Sequence, residues 1–183
     1  MKPTHMKDES IMSTPSTTGQ SPREATITLP SDREIVIARE FDAPRQLVFD
    51  CHTQAELYTQ WYGLASAGQT VCEIDFRVGG HWRSSQTFVD HDGAGNDMSV
   101  VFSGEFREID APNGYVFTES FEGFPGPPAV VTMAFEDVDG RTRLTSTSAY
   151  ETVEIRDIVM QSGMEHGVKE MYSRLDTLLA SRA

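Results

Sequence analysis

The chain has 183 residues and a formal net charge of −13 at pH 7, from 28 acidic and 15 basic side chains. This length fits one domain that buries its core without disulfides or metals, and the acidic excess disfavours nucleic acids and anionic membranes as partners. No apolar run reaches the roughly 18 residues that span a bilayer, and no signal-peptide core is present. Cys51 and Cys72 lack metal-ligand spacing. We therefore expect a soluble, cytoplasmic protein with two reduced thiols.

Residues 1–30 are rich in Ser, Thr and Pro and show no sustained periodicity. Their three basic and three acidic side chains cancel, so the whole net charge belongs to the rest of the chain. Too few apolar groups are present to offset the entropy of ordering this segment. The sequence predicts a disordered leader over 1–30 and one folded domain over 31–183. Met6 and Met12 leave the starting residue open.

The folded part begins with a strand and two short helices. Residues 33–41 mix β-branched and charged side chains as a strand does. Asp42 follows as a candidate N-cap, with Pro44 near the first helical position. A second short helix is predicted over 54–63, ending at Gly63.

Strands punctuated by turns fill the middle of the chain. Gly79 and Gly80 suit a two-residue type I′ turn, and Asp139-Gly140 is a second signal of this kind. Short connections favour an antiparallel meander, which gives about seven strands with the first one. The six predicted strands of the meander are 69–77, 81–89, 97–109, 114–122, 129–138 and 141–150.

An amphipathic helix is predicted to end the chain. Ile155 and Val159 fall on a different face from the main stripe, so the helix either bends near Gly163 or begins with a separately packed turn. A glycine within the stripe, Gly167, indicates a close approach to the sheet or to the floor of a pocket. A curved sheet around this helix is the simplest α+β arrangement that covers the stripe. The stripe consists of Met160, Met164, Gly167, Val168, Met171, Leu175 and Leu178.

Several motifs along 33–182 resemble the bacterial members of the activator-of-Hsp90-ATPase-like family. The resemblance implies the helix-grip fold shared with START and birch-pollen-allergen-like proteins of the SRPBCC superfamily, in which a cavity lies between the long helix and the sheet. It does not imply a single activity, because that superfamily holds lipid carriers, enzymes and chaperone cofactors. The motifs are "FDAPRQLVFD", "LYTQWYG", "EIDFRVGGHWR", "FSGEFREIDAPNGYVFT", "VTMAFEDVDGRTRLT" and "GMEHGVKEMYSRLDTLLA".

The inward faces of the predicted strands mix aromatic, thioether and polar side chains. Ser84 and Gln86 share a face with Trp82, and a polar group in a dry core costs roughly 1–3 kcal/mol unless it is hydrogen-bonded. This mixture is typical of a small-molecule pocket. The alternatives are a shifted register, or polar groups that meet backbone at the strand ends. The candidate ligand-binding residues are Trp61, Tyr62, Trp82, Ser84, Gln86, Phe117, Glu119, Met133, Phe135, Ser146, Met164, Gly167, Val168 and Met171.

The sequence contains no catalytic, metal-binding or cofactor motif. The histidines are scattered, and the acidic hairpin over 88–97 lacks calcium-loop spacing and is expected to be a solvated tip. Glu119 is the exception worth following, because burial would raise its pKa and allow acid–base chemistry. We therefore expect a non-enzymatic protein that binds a small, largely apolar molecule, with a stress-related role. The alternatives are a cyclase- or hydrolase-type enzyme, or a co-chaperone that stimulates an Hsp90-type ATPase. A homodimer is left open.

Overall fold

The computed structural model describes residues 24–88, 97–124 and 126–182, which form eight strands and four helices. The acidic hairpin predicted over 88–97 lies largely outside the described residues. The elements are β1 Thr26–Thr28, β2 Glu34–Phe41, α1 Arg45–Thr53, α2 Ala55–Trp61, β3 Val71–Ile74, β4 His81–Phe88, β5 Met98–Asp110, β6 Gly114–Phe121, β7 Ala129–Val138, β8 Arg141–Ala149, α3 Val153–Gln161 and α4 Met164–Ala180.

All eight strands form one antiparallel sheet in the order β1-β2-β8-β7-β6-β5-β4-β3. Strands β3 to β8 follow each other as the predicted meander, and β2 closes against β8. The α+β helix-grip arrangement is confirmed, with one strand more than expected. That strand is β1, which pairs with β2 through Thr26 and Ala38. Order therefore begins before residue 31, and the predicted disordered leader is wrong for residues 26–28; residues 1–23 lie outside the described residues.

The double glycine between β3 and β4 serves a longer loop than the sequence predicts. Six residues separate the two strands, and only Gly79 has a positive φ, +76°. A Cβ on Gly80 would lie 2.0 Å from the Asp75 carbonyl oxygen, so this position needs glycine for close packing. The type I′ prediction is wrong here. It holds for Asp139 and Gly140, whose φ values of 55° and 79° suit a two-residue hairpin turn.

The C-terminal helix is two helices. Gly163 adopts φ +83° between α3 and α4, so the break near this glycine is confirmed and Met160 belongs to a separate helix. On α4, Val168 and Leu175 are buried and Met171 is half-buried. The predicted N-cap of α1 is wrong, since Pro44 and not Asp42 is the N-cap of this helix.

The packed core lies between the inner face of the sheet and helices α1, α2 and α4. Phe49 of α1 makes edge-to-face contacts with Phe135, Phe76 and Tyr115, with ring centroids 5.2, 5.7 and 6.0 Å apart. Each such pair contributes about 0.5–1.5 kcal/mol beyond the burial of its area. This aromatic cluster fixes α1 on the sheet and fills one end of the inner face.

Among the described residues, no helix is long and apolar enough to cross a membrane. Cys51 and Cys72 are free thiols, and Cys51 is buried in the core. Burial raises the pKa of both thiols, that of Cys72 to about 12. A raised pKa keeps a thiol protonated and poorly reactive at neutral pH.

Candidate functional site

Glu119 lies on the inner face of β6, between two positions without bulky side chains. It pairs directly with Ala129 of β7. On its other side, the pairing of Ser103 with Ser120 places Gly104 of β5 next to it. Directly opposite residues of antiparallel strands share a face, so small residues flank Glu119 on both sides, and the indole of Trp82, which pairs with Gly104, lies over that glycine.

The carboxyl of Glu119 has no partner among the described residues. It makes no hydrogen bond and no ion pair with them, although the side chain is half-buried. Desolvation by burial raises the pKa of Glu119 to about 7. A carboxyl without a hydrogen-bond partner in the protein needs water or a ligand to solvate it. The group is therefore poised to gain or lose a proton near neutral pH.

Three tyrosines from two other parts of the chain interact electrostatically with this carboxyl. Tyr58 of α2 and Tyr62, which directly follows this helix, have stacked rings, 4.5 Å between centroids. Tyr150 directly follows β8, and its backbone N–H donates to the Arg33 carbonyl at 2.9 Å. Burial raises the pKa of all three hydroxyls, and the Glu119 carboxylate raises each of them further. The tyrosines therefore stay protonated and neutral.

A surface groove lies on the other face of the sheet, where Glu34, Val130 and Ala149 are paired neighbours. It has a volume of about 480 Å³ and is lined by Pro127, Pro128 and Tyr150, among others. Tyr150 therefore belongs both to this groove and to the surroundings of Glu119.

Trp82 forms the aromatic wall on the β5 side of Glu119. Its indole N–H donates to the Thr118 carbonyl at 3.1 Å, and its ring packs edge-to-face on Phe117, 5.4 Å between centroids. A Cβ on Gly104 would lie 1.7 Å from the Thr118 oxygen and 2.8 Å from the indole nitrogen. Only glycine at residue 104 allows the indole to lie across the strand in this way.

Ser84 and Gln86 are both buried on the inner face, as predicted, and they differ in their partners. The Ser84 hydroxyl has no hydrogen-bond partner in the part of the chain that the structure describes. The Gln86 amide donates to the Thr70 hydroxyl at 3.0 Å, and Thr70 donates to the Tyr62 carbonyl at 2.7 Å. Gln86 thus belongs to a polar bridge that holds the segment after α2 against β4.

Other predicted binding residues lie in the packed core or along α4. Trp61 donates its indole N–H to the Cys51 carbonyl at 2.8 Å. Phe135 is 1% exposed within the Phe49 cluster. A Cβ on Gly167 would meet only Leu64 Cδ2, at the ordinary distance of 3.6 Å, so its predicted close approach to the sheet is wrong. Met133, Ser146 and Val168 are buried, and Met164 and Met171 are half-buried.

Sequence reasoning missed several members of the site. Tyr58 precedes Tyr62 by four residues and therefore shares its helix face, a signal that was available. Tyr150 continues the inner-face alternation of Leu144, Ser146 and Ser148. Gly104 and Ala129 gave no such signal, because their place beside Glu119 depends on the register of three strands.

The described residues contain no group of three side chains able to hold a metal ion. His52 is buried against the rings of Trp61 and Phe135, 4.7 and 5.3 Å between centroids. Desolvation lowers its pKa to about 4. Its Nδ1 lies 2.7 Å from the Val48 carbonyl, so it is a core residue of α1, apart from the Glu119 site.

The curved antiparallel sheet packed around a C-terminal helix defines a helix-grip protein. The family model described as Activator of Hsp90 ATPase homolog 1-like protein matches residues 42–180. The chain belongs to this family, which confirms the resemblance of its motifs.

Solved structures share the fold at low sequence identity. A protein from Rhodobacter sphaeroides has 24% identity and a TM-score of 0.77, covering 87% of this chain and 100% of its own. Protein Ms6760 from Mycobacterium smegmatis has 22% identity, a TM-score of 0.73 and coverage of 85% and 96%. A protein from Arthrobacter aurescens has 24% identity, a TM-score of 0.72 and coverage of 85% and 91%. These likenesses show the fold alone. No curated protein matches the sequence.

Proposed function

We propose that this protein binds a small, largely apolar molecule in the hollow in front of Glu119. The observation that supports the proposal is the half-buried Glu119 carboxyl, which has no hydrogen-bond partner among the described residues and is flanked by Gly104 and Ala129. Aromatic side chains with a few convergent polar groups are the usual lining of such sites. Here Trp82 and Phe117 supply apolar surface, and the tyrosine hydroxyls and the carboxyl supply polarity.

The hollow can be tested by filling it. Ala129→Leu adds a large side chain next to Glu119 on the inner face, whereas Ala134→Leu adds the same group to the other face of β7. We expect the neutral apolar dye N-phenyl-1-naphthylamine to bind wild type and Ala134→Leu, and to lose at least tenfold in affinity for Ala129→Leu. Native mass spectrometry of the protein as purified would weigh a retained ligand directly.

Two results would contradict binding in the hollow. One is equal dye affinity for wild type and Ala129→Leu. The other is a loss of several kcal/mol of stability in Ala129→Leu, since overpacking a filled core costs roughly 1–3 kcal/mol. Melting both alanine variants beside wild type separates a blocked site from a disrupted fold.

A second candidate function is acid–base catalysis by Glu119, favoured by its pKa of about 7. A chemical change in a retained compound on incubation with wild type, absent with Glu119→Gln, would support an enzyme. The family description also names activation of an ATPase of the Hsp90 type. Addition of this protein to a purified chaperone, with ATP turnover as the readout, tests the co-chaperone alternative.

A further inference from the structure

Among the described residues, the titratable groups that interact electrostatically with Glu119 are neutral or anionic at neutral pH. Tyr58 and Tyr62 face it from α2, and Tyr150 faces it from the end of β8. Cys72 of β3 lies near the two α2 tyrosines. Desolvation is the sole cause of the perturbation at Glu119, with no opposing cation. The described chain thus supplies a buried carboxyl without a counter-ion.

The arginine side chains that could have served as the counter-ion of Glu119 pair with other groups. Arg39, on the inner face of β2, pairs with Asp176 of α4, and its guanidinium carbon lies 4.8 Å from the Phe41 ring centroid. Arg174 donates to the Gly63 carbonyl at 2.6 Å. Arg83, on the outer face of β4, pairs with Glu122 at 3.1 Å. Each of these cations has its own acceptor and none reaches Glu119.

The walls and the approach to the site both suit a positive charge. Aromatic faces attract cations through the ring quadrupole, and the site holds the Tyr58–Tyr62 stack and the Trp82–Phe117 pair. The net charge of −13 adds a field that draws cations toward the protein.

We propose that the ligand of the Glu119 site is a hydrophobic ammonium compound, whose N–H groups donate to the Glu119 carboxylate while its apolar part lies against the aromatic walls. This inference rests on the proposed function, because it assigns a chemical class to the same site. A charge-assisted hydrogen bond to a carboxylate is about twice as strong as a neutral one. The bound cation supplies the counter-ion that the chain lacks.

Three probes of equal length test the charge preference: octylammonium, octanol and octanoate, each displacing N-phenyl-1-naphthylamine in 150 mM salt. At pH 8.5 wild type should bind octylammonium roughly tenfold more tightly than octanol, since both head groups can donate to the carboxylate but only the ammonium carries the opposite charge, and octanoate should bind most weakly. Glu119→Gln should equalise octylammonium and octanol. Glu108→Gln, the same change at an exposed residue of β5, should behave as wild type.

Lowering the pH tests independently whether the preference for octylammonium depends on the ionised Glu119 carboxylate. Octylammonium keeps its charge across this range, while protonation of Glu119 below pH 6 removes the carboxylate. The preference for octylammonium over octanol should therefore disappear at pH 5.5 in wild type.

The outcomes separate this inference from the proposed function. Equal displacement by octylammonium and octanol in wild type at pH 8.5, or a preference that survives Glu119→Gln, overturns the ammonium assignment and leaves the binding site standing. Preferred binding of octanoate also overturns it. Failure of the dye itself to bind overturns the proposed function, and the ammonium assignment falls with it.

Discussion

Replacing Glu119 by glutamine should stabilise the protein at alkaline pH and leave it unchanged in acid. The folded-state pKa of about 7 lies above the ordinary value of 4.5, so the folded protein holds this proton more tightly than the unfolded chain. The stability contributed by the protonated acid is complete below pH 4.5 and is lost as the pH rises through 7. A shift of this size corresponds to up to about 3 kcal/mol.

Glutamine has nearly the shape of the protonated acid but never ionises. Glu119→Gln should therefore exceed wild type by up to about 3 kcal/mol at pH 8.5, with the difference falling to near zero by pH 4.5. Urea unfolding at pH 4.5, 6, 7 and 8.5 measures the free energy of unfolding at each point. Glu108→Gln serves as the matched exposed control. A variant less stable than wild type at pH 8.5, or a difference that does not change with pH, would refute an unpaired, desolvated carboxyl.

Three further predictions test the core and α4. The imidazole resonances of His52 should titrate near pH 4 in an NMR titration. Because folding favours the neutral imidazole, its contribution to stability is full above pH 6.5 and declines by about 3 kcal/mol toward pH 4. Titration near pH 6.5 would mean that the ring is solvated. Gly167→Ala should raise the melting temperature, gaining up to about 1 kcal/mol of helix propensity, because the added methyl meets only Leu64; a lower melting temperature would show a closer neighbour. Gln86→Leu should lower the free energy of unfolding by about 1–3 kcal/mol, because the Thr70 hydroxyl loses its hydrogen-bond donor. An unchanged urea unfolding curve would show that this hydrogen bond does not stabilise the fold.

The sequence alone determined the class of fold and the inward face of β4. Trp82, Ser84 and Gln86 are all buried while His81 and Arg83 are exposed, as the alternation predicts. The meander and the Asp139-Gly140 turn also follow from local patterns. These features are readable because side-chain alternation and turn conformation depend on neighbours within a few residues.

Tertiary structure decided what surrounds Glu119. A register shift between Phe106 and Glu108 sets how β5 meets β6, and this alignment places Gly104 beside the carboxyl. The position of α2, which brings Tyr58 toward the sheet, depends on contacts between residues far apart in the chain. The same holds for the hydrogen bond between Gln86 and Thr70, which leaves the Gln86 amide no longer free. Local patterns show that a side chain points inward, whereas the partners it meets there depend on strand register and helix docking, which are fixed only when the whole core packs.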